Sequence, residues 1–300
     1  MIGLGRMGGN MTRRLVAAGH RMVVYNHSPG PLAAAAAAGA EPKASVEEVA
    51  AALSPPRAVW VMVPAGDPTA SVVEALAAAL SPGDLVVDGG NSNYRVSTAR
   101  AATLAGRGIQ FLDVGTSGGV WGLTEGYSMM VGGPPDAVGR LRPIFEALAP
   151  APDRGWGHVG PSGAGHFAKM VHNGIEYGLM QAYAEGFSIL AHKTELGLDV
   201  HGVAEIWRHG SVVRSWLLDL TARALEANPT LEGIAPVVAD SGEGRWTVAE
   251  AIELDVPAPV ITMALIQRLR SRDAFSYADR LLALMRQQFG GHAVLPEDVP

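Results

Sequence analysis

The amino-acid sequence predicts a doubly wound α/β sheet followed by an all-α helical domain. In the first half, short β-branched runs alternate with alanine-rich helical stretches, and from about residue 160 the strand pattern stops. Alternating strands and helices are typical of a parallel sheet with helices on both faces. We therefore expect two domains, over residues 1–160 and 161–300.

Each predicted strand of the first half is a short apolar run with a helical stretch beside it. The strands are expected at residues 21–26, 58–63, 84–90 and 109–115. The helices are expected at residues 8–19, 31–39, 69–80 and 94–106, and residues 127–133, 137–148 and 156–159 extend the pattern. The alternation predicts that the strands of this sheet run parallel.

The second half begins with one long helical run over residues 163–192, which is apolar on most of its faces. A helix that is apolar all round is expected to be buried. Further helices are expected at residues 199–209, 213–227, 247–254 and 259–289.

Composition narrows the class of protein. The 300 residues are 48% hydrophobic and 17% charged, which fits a soluble globular enzyme, and the net charge of −6 argues against a nucleic-acid or anionic membrane surface. The chain has no cysteine, no run of 18 apolar residues and no signal-peptide pattern, so we expect a cytoplasmic protein. The nine histidines are scattered, and no metal is expected.

The chain opens with Gly3, Gly5 and Gly8 in the spacing G-x-G-x-x-G. This spacing is typical of the Rossmann-like turn that places a dinucleotide pyrophosphate at a helix N-terminus, although it normally follows a full strand. Here only Met1 and Ile2 precede it. A strand about 20 residues later favours dinucleotide binding, and a purely structural turn is the alternative.

Asn26 stands where the second strand of such a fold meets the adenosine ribose. A carboxylate there would bind the 2′-hydroxyl of NAD and repel the 2′-phosphate of NADP, and Asn26 does neither strongly. His27 and Ser28 offer hydrogen-bond donors for a 2′-phosphate, but no arginine stands beside them to bind it. The choice between NAD and NADP stays open at this point, with a slight preference for NADP.

A polar stripe interrupts the long apolar helix. Lys169, His172, Asn173, Glu176 and Tyr177 follow the spacing i, i+3, i+4, i+7 and i+8, which places them on one helix face. A solvated face would more often carry simple Glu–Lys pairs. A polar stripe on an otherwise apolar helix favours a cleft with catalytic side chains, and the solvated face remains the alternative.

The motifs taken together resemble the decarboxylating 6-phosphogluconate dehydrogenases. The matching segments, in chain order, are GLGRMG, DGGNS (88–92), GTSGG (115–119), GAGHFAKMVHNGIEYG (163–178), GEGRWT (242–247) and RQQFGGH (286–292). The chain is similar to the short bacterial form, which lacks a duplicated helical region. The wider β-hydroxyacid dehydrogenase superfamily shares the glycine turn and the helix lysine, but it does not explain DGGNS, HNGIEYG or FGGH.

The resemblance implies a reaction. Lys169 would remove the C3 hydroxyl proton of 6-phosphogluconate while hydride passes to the nicotinamide of NAD or NADP. The resulting 3-keto acid would lose CO₂, and protonated Lys169 would stabilise the enediolate. Glu176 would then protonate C1 to release ribulose 5-phosphate.

The resemblance also implies the residues that bind the ligands. The substrate residues would be Asn91, Ser117, Gly118, Gly119, His172, Asn173, Tyr177, Arg245, Arg268, Arg286 and His292. The cofactor residues would be Gly3, Gly5, Arg6, Met7, Gly8, Asn26, His27, Ser28, Val63 and Asn91. Arg245 stands where many longer members have lysine, which keeps the charge and puts its geometry in doubt.

Two further expectations follow from the family pattern. Arg286 and His292 would reach across from the partner subunit, so a homodimer is the minimum and a tetramer the larger alternative. The strand ahead of the glycine turn would have a few more apolar residues than Met1 and Ile2 supply.

Two other functions stay open from the sequence. One is a β-hydroxyacid dehydrogenase that acts on a small non-phosphorylated 3-hydroxy acid, against which the set of cations argues. The other is a catalytically silent NAD(P)-binding assembly protein, which has no chemical need for both Lys169 and Glu176. The sequence leaves open whether the enzyme serves the pentose phosphate pathway or gluconate catabolism.

Overall fold

A computed structural model describes residues 1–296 of the chain. It divides into two compact units, one over residues 1–174 and one that begins at residue 175. The first unit is a sheet with helices on both faces, and the described part of the second is helical. The predicted α/β class with a helical second half is therefore confirmed.

The sheet of the first unit is built around Ile2. Strands β1 (Val23–Val24) and β2 (Glu41–Pro42) pair in parallel. Ile2 forms parallel bridges to Tyr25, just after β1, and to Val61 on the other side. The remaining strands follow in the order β3 (Ala58–Val61), β4 (Leu85–Asp88), β5 (Gln110–Ser117), β6 (Ser128–Gly132) and β7 (Trp156–Gly160).

The sheet is mixed, so the prediction of parallel strands throughout is wrong at one step. Strands β3, β4 and β5 run parallel, β5 and β6 pair antiparallel, and β6 and β7 are again parallel. The chain between β5 and β6 covers residues 118–127 only. A parallel connection needs a crossover of a dozen or more residues, so this short link returns the chain in the opposite direction.

Helices cover both faces of the sheet. The helices of this unit are α1 (Arg6–Ala17), α2 (Pro29–Ala37), α3 (Val46–Ala51), α4 (Asp67–Ala79), α5 (Tyr94–Ala105), α6 (Gly122–Glu125) and α7 (Pro135–Leu148). Helices α1 and α7 pack on one face with Leu85 and Val87, while α3, α4 and α5 pack on the other with Val86. Successive strand residues point to opposite faces, so the strands read as continuous apolar runs.

The terminal amine of Met1 is buried inside this unit. It donates a hydrogen bond to the Val23 carbonyl at 2.7 Å, and Tyr25 N donates to the Met1 carbonyl at 3.0 Å. Burial lowers the pKa of the Met1 amine to about 5, because the charged form loses its water there.

The second half contains helices α8 (Ala164–His192), α9 (Val200–Trp207), α10 (Trp216–Ala227), α11 (Glu243–Glu253), α12 (Pro259–Arg270) and α13 (Tyr277–Gly290). The prediction of one helix over residues 259–289 is wrong. It breaks at residues 271–276, where Ser271 Oγ donates to the Arg268 carbonyl and Ser276 N donates to Asp273. Such side-chain bonds compete with helix continuation.

Helix α8 is buried along its beginning but not along its later turns. Met170 and Tyr177 are buried, whereas Ile175 is 52% and Ile189 71% exposed. The predicted burial of the whole helix is therefore wrong for a single chain, because the chain's own helices cover only part of its surface. Within residues 1–296, no helix is long and apolar enough to cross a membrane.

Candidate functional site

The three opening glycines form a turn between Ile2 and α1. Gly3 has φ of 91°, and a Cβ there would meet the Met62 carbonyl at the end of β3. A Cβ on Gly8 would meet the Gly3 carbonyl, so the helix lies directly on the turn. Gly5 has no heavy atom within 4 Å of the Cβ position and stands at the N-terminus of α1. The open space and the helix N-terminus fit a pyrophosphate.

The side chain of Asn26 is part of this turn. Its Oδ1 accepts a hydrogen bond from Leu4 N at 2.9 Å, and its Nδ2 donates to the Ser28 carbonyl at 3.1 Å. His27 and Ser28 are exposed beside it. Asn26 therefore holds the end of β1 against the glycine turn, and the exposed donors lie next to it.

The ends of β3, β4 and β5 meet beside the turn. Val63 follows β3, and its Cγ1 lies 2.8 Å from the position that a Cβ on Gly3 would take. The Val63 carbonyl lies 2.6 Å from the position that a Cβ on Gly90 would take. Asn91 follows β4 with φ of 54°. Its Oδ1 accepts from Thr116 N at 3.1 Å and its Nδ2 donates to the Thr116 carbonyl at 3.3 Å. The Asn91 amide thus joins the loop after β4 to the end of strand β5.

The Ser117–Gly119 segment ends β5 in a left-handed turn. Gly118 has φ of 133° and Gly119 has φ of 51°. The ring of Tyr127 lies beneath Gly118, 3.1 Å from its Cβ position, and burial raises the pKa of Tyr127 to about 12. A neutral ring therefore supports this turn. Gly119 has no heavy atom within 4 Å of its Cβ position, which leaves its backbone open to a ligand.

Lys169 lies against β5 and is only 5% exposed. The helix can come this close to β5 only because residue 115 is glycine. A Cβ at that position would overlap the Lys169 Cβ and lie 2.6 Å from the Gly165 carbonyl. Lys169 Nζ is 3.3 Å from His172 Nδ1, which is in turn 3.0 Å from Asn173 Oδ1. Three members of the predicted polar stripe are therefore in mutual contact.

The first turn of α8 is fixed by a buried carboxylate. Asp113 in β5 is fully buried and accepts hydrogen bonds from Gly163 N at 2.6 Å and His166 N at 2.8 Å. A carboxylate at a helix N-terminus satisfies unpaired N–H groups and favours the helix dipole. A side chain on Gly165 would overlap the carbonyls of Asp113 and Met130. The helix that carries Lys169 therefore starts at a defined place on the sheet.

In the second unit, Tyr177 is 4% exposed and lies under Arg268. The guanidinium carbon is 3.4 Å from the centre of the Tyr177 ring, and Tyr177 Oη accepts from Ser241 N at 3.2 Å. Arg268 also donates to the Ala239 carbonyl at 3.0 Å. The stacking fixes the plane of the guanidinium.

Arg245 belongs to a neighbouring cluster around Asp240. Both Asp240 oxygens accept from Arg245, at 3.0 and 3.2 Å, and Oδ2 also accepts from Arg272 at 2.6 Å. The hydrogen bonds and charge of Arg245 hold the pKa of Asp240 below its usual range, and the pairing raises the pKa of Arg245. Two guanidinium groups therefore share one carboxylate, which leaves excess positive charge.

The other predicted residues are placed as follows. Arg6 and Met7 lie in the first turn of α1, and Glu176 lies half-buried in α8, seven residues after Lys169. Arg286 lies in α13 and His292 follows it, and both are exposed. Among the described residues 1–296, no group of three or more His, Cys, Asp or Glu side chains could hold a metal ion.

Sequence reasoning missed the residues that support these side chains. Gly115, Gly165 and Asp113 set the position of Lys169, and Arg272 joins the Arg245 cluster. Both glycines lie inside motifs named above, and a glycine in such a motif indicates a close approach of the backbone. Asp113 and Arg272 carried no signal, because their partners lie 50 and 32 positions away along the chain.

Residues 1–159 match the family model described as the NAD binding domain of 6-phosphogluconate dehydrogenase, and residues 165–292 match its C-terminal domain. A NAD(+)-dependent decarboxylating 6-phosphogluconate dehydrogenase of Haloferax volcanii is 45% identical over 99% of this chain and 98% of the relative. A putative 6-phosphogluconate dehydrogenase of Bacillus subtilis is 41% identical over 98% of this chain and 97% of its own length.

A solved structure gives the same result for the fold. The Plasmodium falciparum 6-phosphogluconate dehydrogenase superposes with a TM-score of 0.82 at 28% identity, covering all of this chain. This chain spans 66% of that protein.

The glycine turn, the sheet order and the buried lysine beside the strand ends define a nicotinamide-dependent oxidoreductase. Both family models and the curated relatives carry the assignment further. The chain belongs to the 6-phosphogluconate dehydrogenase family.

Proposed function

We propose that the protein oxidises 6-phosphogluconate with NAD or NADP and decarboxylates the product to ribulose 5-phosphate and CO₂. The observation that carries this proposal is the buried Lys169, packed on Gly115 and in contact with His172. It lies beside the strand ends that present Asn91 and the Ser117–Gly119 turn. The names of the Haloferax and Plasmodium relatives support the same reaction.

The cofactor would be held by the glycine turn and the strand ends. Gly3, Gly5 and Gly8 would accommodate the pyrophosphate, with Arg6 and Met7 in the first helical turn. Asn26, His27 and Ser28 would border the adenosine ribose, and Val63 and Asn91 would flank the nicotinamide half. The nicotinamide supplies a hydride acceptor when bound.

The protein groups would carry the proton transfers. Lys169 would accept the C3 hydroxyl proton as hydride leaves C3, which yields a 3-keto acid. Protonated Lys169 would then stabilise the negative charge on the C3 oxygen as the bond to CO₂ breaks. Glu176 would donate a proton to substrate C2, the carbon that lost CO₂ and becomes C1 of ribulose 5-phosphate, which completes the product. The two residues stand on one continuous helix, Ala164–His192, seven positions apart.

The substrate contacts divide by chemistry. Asn91, Ser117, Gly118, Gly119, His172 and Asn173 would bind hydroxyl and carboxylate groups. Tyr177, Arg245 and Arg268 would bind the phosphate, because planar guanidinium groups suit a dianionic phosphate. The stacked Arg268 and the excess positive charge beside Asp240 favour this over a non-phosphorylated substrate.

One assay tests this function. The purified protein is given 6-phosphogluconate with NAD or NADP, and reduced cofactor and CO₂ are followed together. We expect both products in equal amounts, and no more than a trace of turnover with gluconate or 3-hydroxyisobutyrate. Reduced cofactor without CO₂, or better turnover of 3-hydroxyisobutyrate, would favour the simple β-hydroxyacid dehydrogenase instead.

For the cofactor, we propose that both NAD and NADP are accepted, with a slight preference for NADP. Asn26 is uncharged, so it does not repel a 2′-phosphate, and His27 and Ser28 are exposed beside it. The Haloferax relative is named NAD(+)-dependent, whereas the Plasmodium structure is described with NADP+.

Changing Asn26 to aspartate tests the cofactor contact. The carboxylate can still accept the hydrogen bond from Leu4 N, but it repels a 2′-phosphate. We expect KM for NADP to rise by roughly ten-fold or more, a difference of about 1.4 kcal/mol, while KM for NAD changes little. Steady-state kinetics with each cofactor measures this. An equal rise for both cofactors would mean that Asn26 only maintains the turn.

We also propose a homodimer at least, with a tetramer as the larger alternative, in which Arg286 and His292 complete the site of the partner subunit. Support comes from exposed apolar side chains in the helical part, such as Ile189 (71%), Val260 (68%) and Phe289 (95%). These side chains belong to three different helices, and exposed apolar area on several helices fits a surface that a second copy covers. A dinucleotide-binding domain over residues 1–160 and a substrate and dimerisation domain over 161–300 remain part of this proposal.

Truncation after Met285 tests the contribution of the tail. Loss of Arg286 and His292 removes two hydrogen-bond donors from the proposed phosphate site, so KM for 6-phosphogluconate should rise sharply, by roughly 10² if each contributes about 1.4 kcal/mol. The affinity for cofactor should stay nearly unchanged. Kinetics and cofactor-fluorescence titration measure both. A truncated protein with the kinetics of the full chain would contradict the shared site.

A further inference from the structure

Strand β4 carries a buried ion pair at each of its ends. Before its first residue, Asp84 pairs with Arg57 at 3.0 Å, and at its last residue Asp88 pairs with Arg100 at 2.8 Å. The two aspartate side chains are 1% and 0% exposed, and the two arginine side chains are 18% and 10% exposed. The pairs are similar in chemistry and burial, and they differ in which end of the sheet they occupy.

The Asp88 pair organises the loop that follows β4. Asp88 Oδ1 accepts a hydrogen bond from Gly90 N at 3.0 Å, and Oδ2 accepts from Ser92 Oγ at 2.8 Å. Arg100 donates both to Asp88 Oδ2 and to Ser92 Oγ, at 2.8 and 3.1 Å. The residues on both sides of Asn91 are therefore tied to one buried carboxylate.

Asn91 needs such support. It has φ of 54°, a conformation that non-glycine residues adopt only when the surroundings impose it. In this conformation its amide bonds both backbone groups of Thr116 and so connects the β4 loop with the Ser117–Gly119 turn. Movement of Gly90 or Ser92 would change the position of both loops.

Asp84, like Asp88, accepts hydrogen bonds from backbone N–H groups, but it lies away from every proposed ligand. Asp84 accepts from Arg57 N at 2.6 Å and Ser81 N at 2.9 Å, in the connections that enter β3 and β4. Ligands of an open α/β sheet bind at the carboxyl ends of the strands, and this pair lies at the amino ends. It therefore supplies a matched reference for the loss of a buried ion pair.

We propose that Asp88 and Arg100 are positioning residues. They act through Asn91 and fix the loop after β4 relative to the Ser117–Gly119 turn. The identity of the reaction rests on the proposed function, whereas the positioning role rests on the contacts around Asn91. Asp84 and Arg57 stabilise the same strand without a part in the reaction.

The test compares Arg100→Met and Arg57→Met, each with its lysine counterpart. Both methionine variants leave a buried carboxylate without its cation, so both should lose resistance to urea. Only Arg100→Met should change kinetics, with KM for 6-phosphogluconate raised by roughly 10- to 100-fold and kcat lowered. Arg57→Met should keep both constants within about two-fold. Arg100→Lys should recover part of the lost activity, because lysine restores the charge.

A second readout separates this proposal from the proposed function. Asn91 is also expected at the cofactor, so binding of NADPH, measured by its fluorescence, should weaken in Arg100→Met and not in Arg57→Met. If the wild-type protein does not turn over 6-phosphogluconate, the proposed function fails and the NADPH titration still tests the positioning. Equal kinetics and equal NADPH binding in Arg100→Met and the wild type would overturn it, as would equal kinetic losses in both methionine variants.

Discussion

Replacing Lys169 with methionine is expected to lower kcat by a factor of about 10⁴, which combines general-base catalysis with stabilisation of the developing oxyanion. Methionine keeps the length and apolar packing of the side chain against Gly115 but cannot accept or hold a proton. Steady-state rates of reduced-cofactor formation and CO₂ release measure the loss.

Lys193→Met is the control, because Lys193 follows the same helix and its side chain is 56% exposed. It should retain normal rates. NADPH binding and the melting temperature should be nearly unchanged in both variants. If Lys169→Met keeps more than about a tenth of the wild-type kcat, which is a smaller effect than one general base supplies, another residue is the base.

Replacing Gly165 with alanine is expected to destabilise the first unit by about 3 kcal/mol, the upper range for overpacking a close contact. The added methyl would overlap the carbonyls of Asp113 and Met130, which belong to the sheet backbone and cannot move aside cheaply. For a unit of this size the melting temperature should fall by about 6–12 °C. Thermal unfolding followed by circular dichroism measures the change.

Gly186→Ala is the matched control on the same helix, since no heavy atom lies within 4 Å of its Cβ position. Alanine is the better helix former by about 1 kcal/mol, so this variant should be as stable as the wild type or more so. Gly115→Ala adds an effect on catalysis to the loss of stability, because its methyl would overlap the Lys169 Cβ as well as approach the Gly165 carbonyl. We expect a clear loss of kcat there. A stable and fully active Gly165→Ala protein would show that the helix can shift on the sheet.

Much of the fold can be predicted from the sequence, because apolar periodicity depends only on residues that are neighbours along the chain. The predicted strands at 58–63 and 84–90 contain β3 and β4, and the predicted strand at 109–115 covers all of β5 except its last two residues. The direction of β6 was not readable, since it depends on the length of the connection as well as on the strand itself. The break at residues 271–276 depends on side-chain to backbone bonds that propensity does not reveal.

The candidate site divides in the same way. The stripe Lys169, His172 and Asn173 follows from helix spacing, and the structure brings these three side chains into contact. The partners of the supporting residues could not be predicted from the sequence, because Asp113 lies in a predicted strand and bonds to Gly163, 50 positions away along the chain. The same holds for Arg100. Its proposed positioning role depends on its burial beside Asp88, and the sequence does not show which charged side chains are buried.

The central position of Ile2 has a consequence for biosynthesis. Ile2 pairs with Tyr25 and with Val61, which leaves the ribosome about 60 residues later. At a synthesis rate of about 5–20 residues per second, Ile2 is made roughly 3–12 s before Val61 of β3, with which it pairs. During that interval helix α1 can form from local contacts, but the cofactor turn has no β3 to rest on. We therefore expect the nascent chain to bind dinucleotide only after β3 has emerged.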